Sequence, residues 1–183
     1  MSQEAVRRRY LEINGTHPMT AADDAYVTRQ FRVLSELCEQ TGRDLHEVRG
    51  WMLDGRLPMP SYLRSDGAEM VPADLFEPAD KVGLDNLREW FVAHWPDPAT
   101  GREEWQAYLS GQYVCLHSVT PATIQRKGEL VHAIERTTDP ADLKRLVDEL
   151  DALEPDFTGY DRLRFGGPVS RDTHITAVRK RLA

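Results

Sequence analysis

The chain has 183 residues, 40% of them hydrophobic and 29% charged, with a net charge of −7 and two cysteines. That composition supports one full hydrophobic core or two small ones. No stretch approaches the roughly 20 apolar residues a membrane helix needs, the N-terminus lacks a signal-like apolar run, and Cys38 and Cys115 match neither a disulfide framework nor a zinc spacing. A cytoplasmic protein with reduced cysteines, no membrane partner and no cofactor is expected.

In chain order, Ser2 is expected to cap a first helix with Val6, Tyr10, Leu11 and Ile13 on one face, and Arg7, Arg8 and Arg9 fanned over the solvated side. Thr20 with Asp23 three residues on has the form of a capping box for a second helix. Ser35 is placed to cap the helix ELCEQTG, Gly42 suits the turn after it, and Asp44 with Glu47 opens a helix bearing Leu45, Val48, Trp51 and Met52. Pro58 and Pro60 bar further helix. Tyr62-Leu63-Arg64 and Glu69-Met70-Val71 flank the turn residues Ser65-Asp66-Gly67-Ala68, predicting a short hairpin, which Pro72 to Phe76 closes as a helical turn.

Residues 77–83 read as a connector, and Leu84 to Trp95 as an amphipathic helix stopped by Pro96 and Pro98. Thr100 is predicted to cap the next helix, with acids in its first turn. The run Gln112 to Val119 fits either an extended segment or a buried helical turn. Thr120-Pro121 places a cap before Pro at the first helical position, predicting a helix to about Arg136; Asp139-Pro140 repeats the device for a helix through Leu153. Gly166-Gly167-Pro168 reads as a loop, with Ser170 capping a last basic helix.

Charge is uneven. Residues 33–76 hold four Arg against eight acidic side chains, whereas residues 161–183 hold six basic side chains against two acidic ones.

The stretch LSELCEQTGRDLHEVRGWMLDGRLPMPSYLRSDGAEMVPADLF resembles the MerR-type and excisionase-type winged helix-turn-helix, chiefly in Gly55-Arg56-Leu57-Pro58-x-Pro60, the wing turn and Asp74-Leu75. The resemblance implies DNA binding, with the second helix in the major groove and the wing on phosphate, for which Arg49, Arg56 and Arg64 are the candidate contacts. The helix departs from that pattern in carrying Asp44, His46, Glu47 and Asp54, since affinity for a duplex comes mostly from Lys and Arg. Three segments, GRLPMPSYLRSDGAEMVPADLF, WQAYLSGQYVCLHSVTPATIQRKGELVHAIE and DRLRFGGPVSRD, resemble a family of natural product biosynthesis proteins with a domain of unknown function. That resemblance implies a secondary-metabolite context and supplies no catalytic residues.

Two further sets of residues carry candidate chemistry. If Gln112 to Val119 is a strand, Tyr113, Cys115 and His117 share a face, and a thiol beside an imidazole is a route to a thiolate nucleophile. The bland alternative is a packed Cys beside a surface His. Arg162, Arg164 and Arg171 surround Gly166-Gly167 near Ser170, a place suited to a phosphate or carboxylate; the competing expectation is that these Arg pair with the acidic middle of the chain. The six histidines show no local metal spacing, and no metal is expected.

Together these readings predict a mainly α protein. A winged-helix-like module with a small β-hairpin occupies residues 1–80, packed on a C-terminal helical bundle at 81–183, the two able to form one compact unit. The expected function is an accessory protein of natural product biosynthesis that holds a partner protein or an anionic small molecule. The alternatives are a MerR-like transcription regulator, and an enzyme using Cys115 and His117 or the C-terminal Arg cluster.

Overall fold

The computed structural model describes residues 2–183, which divide into two compact units, one running to Tyr113 and the other beginning at Val114. No helix among the described residues is long and apolar enough to cross a membrane.

The first unit opens with α1 (Gln3–Asn14), where Ser2 Oγ accepts from the Ala5 amide at 3.2 Å. Val6 and Tyr10 are buried, and Arg7, Arg8 and Arg9 lie exposed, as the spacing predicts. In α2 (Ala21–Gln30) the capping box is complete: the Asp23 amide donates to Thr20 Oγ1 and the Thr20 amide to Asp23 Oδ2. These reciprocal bonds satisfy two amides that a helix start otherwise leaves bare.

A short strand, β1 (Arg32–Val33), leads directly into α3 (Leu34–Gln40). The predicted Ser35 cap is therefore corrected: Val33 precedes the helix with no side-chain capping bond, because strand pairing holds the chain extended up to Val33 and the helix starts at once. Asp44 does cap α4 (Leu45–Leu53), accepting from the Glu47 amide at 2.8 Å. The hairpin forms as β2 (Tyr62–Leu63) and β3 (Glu69–Val71), and β1 pairs with the other side of β3, giving an antiparallel sheet of order β1-β3-β2. Leu34, Leu37, Cys38, Val48, Met52, Leu57, Tyr62 and Met70 are buried, and Phe31 meets Tyr62 edge to face at 4.9 Å.

Residues expected as a connector form α5 (Glu77–Val82), its start aided by Pro78 in the first turn. After a 3-10 turn at Leu84–Asn86 comes α6 (Leu87–Ala93), shorter than the expected Leu84 to Trp95. The next cap is also corrected. Asp97, not Thr100, caps α7 (Pro98–Leu109), accepting from the Ala99 and Thr100 amides, and no acid lies in the first turn. Asp97-Pro98 is the same cap-then-Pro arrangement as Thr120-Pro121 and Asp139-Pro140. The helices α6 and α7 close on an aromatic group in which Phe91 contacts Trp105 and Tyr108. Gly101 allows their approach, since a Cβ there would stand 2.8 Å from the Val92 carbonyl oxygen.

In the second unit, α8 (Pro121–Arg136) and α9 (Pro140–Leu153) form the expected helical hairpin, capped by Thr120 and Asp139. They are followed by α10 (Gly159–Arg164), a π-helical turn at Arg171–Thr176 and α11 (Ala177–Leu182). The core consists of Leu130, Ile134, Leu143, Leu146, Val147, Leu150, Ile175 and Val178. Ser170 does not cap the last helical segment as predicted, because its own backbone is already helical (φ −56°, ψ −36°). Its hydroxyl is engaged elsewhere.

Candidate functional site

The three arginines expected to meet a duplex are each paired within the first unit. Arg49 on α4 donates to both carboxylate oxygens of Glu69 on β3, at 2.7–3.2 Å. Arg64 donates to both oxygens of Asp66 and to Thr28 Oγ1, and Arg56 pairs with Asp85. Glu69 had no role in the sequence reading, and a buried glutamate in a strand is the signal that a cation must come to it. On the surface of α3 and α4, meanwhile, Glu36, Glu39, Asp44, Glu47 and Asp54 are exposed.

The C-terminal arginines follow the same pattern. Arg162 makes a two-pronged pair with Asp172 at 2.6 and 2.9 Å and also donates to the Phe157 and Thr158 carbonyls. Arg164 pairs with the fully buried Asp161, and Arg171 with Asp151 at 2.7 Å while it donates to the Glu154 and Pro155 carbonyls. Asp172, bonded by Arg162 and by the Val169 amide, is held below the usual carboxylate range. The loop at Gly166 and Gly167 thus has arginines near it in sequence that brace the second unit internally.

Gln112 to Ser118 forms turns, neither a strand nor a regular helix, with Val114 and Leu116 buried and the His117 amide donating to the Leu153 carbonyl. The shared strand face expected for Cys115 and His117 does not exist. Cys115 is half-buried and His117 exposed. No group of three His, Cys, Asp or Glu able to hold a metal is found among the described residues.

One polar cluster joins three distant segments of the second unit. Lys127 lies on α8, Glu154 immediately follows α9, and Ser170 precedes the π-helical turn. Ser170 Oγ donates to Glu154 Oε1 at 2.6 Å, and Lys127 Nζ lies 3.0 Å from Ser170 Oγ and 2.9 Å from Glu154 Oε1. The Glu154 side chain is fully buried, and its Oε2 has no hydrogen-bond partner. Such an atom is uncommon, because a buried carboxylate oxygen normally collects donors. Ser170 was nominated from sequence for a different purpose, while Lys127 and Glu154 were missed: no local spacing links positions 127, 154 and 170. On the same unit, a groove of about 270 Å³ is lined by Lys144, Val147, Asp148, Arg179, Leu182 and Ala183. Its charges are already paired, Asp148 with both Lys144 and Arg179.

Residues 87–183, more than half of the chain, match the profile described as Family of unknown function (DUF6058). No curated protein and no solved structure matches the chain.

Proposed function

The chain belongs to that family of unknown function, and from this premise we propose that it is an accessory protein that holds a partner, built on a winged-helix scaffold. Two observations support the scaffold: helix α2 is followed by β1-α3-α4-β2-β3, and the sheet order is β1-β3-β2. The observation that carries the binding role is the Arg49–Glu69 pair. It commits to the sheet the one arginine within α4, the helix that would read a duplex, and leaves α3 and α4 an acidic exterior.

A polyanion is repelled by such a surface, because duplex affinity depends on cations that replace condensed counterions. A partner presenting Lys or Arg fits it better. The pathway context proposed for this role is natural product biosynthesis, supported by the three resembling segments.

Titration of the full chain with random-sequence duplex DNA across a salt series tests the reading. Absence of salt-dependent binding is the expected result; affinity that falls steeply with salt overturns it. The element order by itself favours a second reading, a transcription regulator, and the same titration decides between the two.

A further inference from the structure

We propose that Ser170 is a nucleophile toward acyl esters, with Glu154 as the acceptor of its proton and Lys127 holding both oxygens. The inference concerns the second unit and is independent of the role proposed for the first.

Geometry carries it. The Ser170 hydroxyl has one hydrogen, directed at Glu154 Oε1 at 2.6 Å, and it accepts from Lys127 Nζ at 3.0 Å. One lone pair on Oγ therefore remains uncommitted, together with one N–H of Lys127. A hydroxyl lying between a proton acceptor and an ammonium has the arrangement an activated nucleophile requires: its proton has a destination, and charge developing on oxygen meets a cation. A purely structural tie between α8 and the end of α9 would need only the Lys127–Glu154 pair and would profit from donors on both carboxylate oxygens. Here Oε2 is left bare. Incompletely satisfied buried groups and π-helical turns both concentrate at functional sites, and Ser170 adjoins such a turn. Ser170 and Lys127 are half-buried, whereas Glu154 is sealed from solvent. Gly128, Gly166 and Gly167 have nothing within 4 Å of where a Cβ would stand, so the backbone beside Lys127 and before Ser170 is open.

The step balances without a cofactor. Ser170 Oγ forms a bond to the ester carbonyl carbon while its proton passes to Glu154 Oε1. The bond to the leaving alkoxide then breaks, and that group departs with the proton as an alcohol. Water hydrolyses the acyl-serine and restores the hydroxyl, releasing a carboxylic acid.

The test is labelling of the full chain with a fluorophosphonate, in which the Ser170 Oγ–P bond forms and fluoride leaves, followed by peptide mass spectrometry. The expected result is a single modification at Ser170, absent from Ser170→Ala and slowed at least tenfold in both Glu154→Gln and Lys127→Met. Because Lys127→Arg keeps the cation, it should label faster than Lys127→Met, and that rescue separates loss of activation from loss of folding. Absence of label on native protein overturns the proposal. So does labelling that is equally fast in urea-denatured protein, or unchanged in both supporting variants.

Discussion

Arg49 on α4 is joined to Glu69 on β3 by donation from Nε and Nη2 to both carboxylate oxygens, with the Glu69 side chain only 3% exposed. The pair ties α4 to the sheet. Removing one member strands a buried charge, at a cost of about 3 kcal/mol or more. Arg49→Met alone, which leaves the buried Glu69 carboxylate unpaired, should therefore lower the stability measured by urea unfolding by about that amount. The double variant Arg49→Met with Glu69→Leu should recover most of the loss. If the single and double variants are equally destabilised, the pair is not what the helix depends on.

Two glycines lead to opposite expectations. Gly111 has φ +75°, and a Cβ there would stand 2.3 Å from the Met59 carbonyl oxygen, so backbone, not a movable side chain, blocks it. Gly111→Ala should cost at least about 2 kcal/mol. Gly128 lies inside α8 with open space around it, and Gly128→Ala should gain about 1 kcal/mol from helix propensity. Thermal melts of the two variants should move in opposite directions.

The contrast between these positions parallels what could be read from sequence. Caps are local, and Ser2, Thr20, Asp44, Thr120 and Asp139 were all legible because the bond spans three residues. Asp97-Pro98 has the same local form, but a Pro that follows a helix reads equally as its stop and as the start of the next one. By contrast β1, with two residues, leaves no periodicity to detect, and its pairing to β3 crosses more than 30 residues. The candidate site suffered most from this distinction. Lys127, Glu154 and Ser170 come together only when the α8–α9 hairpin and the π-helical turn pack, and nothing at those positions announces the others. The arginines were noticed, but their partners Glu69, Asp85 and Asp151 could not be assigned without the fold.

Cys38 and Cys115 should differ in reactivity. Cys38 is buried, and burial, the largest influence on it, pushes its thiol above the usual range despite the nearby Arg43 and Arg49. Thiolate is the reactive form, so native protein treated with iodoacetamide at pH 8 should be alkylated at Cys115 well before Cys38. Equal rates in the native state would mean that the helix α3 opens readily.

The turn between β2 and β3 should respond to acid. Asp66 is lowered to about 2, first by the side-chain bond from Arg64 and next by the Ala68 amide, from an ordinary value of 3.8. A carboxylate depressed in the folded state contributes stability that is present above the unfolded value and is lost as pH falls through the folded one. The window is therefore from about pH 4 down to about pH 2. Because the Asp66 side chain is 58% exposed, the effect is screened and local, so it is best read at the turn. The Ala68 amide, which donates to Asp66 Oδ1 at 3.1 Å, should shift in NMR spectra across that window. In Asp66→Asn no carboxylate titrates, so the same amide should be flat between pH 4 and 2. If the wild-type amide shifts with a midpoint near 4, Arg64 does not hold the carboxylate, and its guanidinium is then available to another partner.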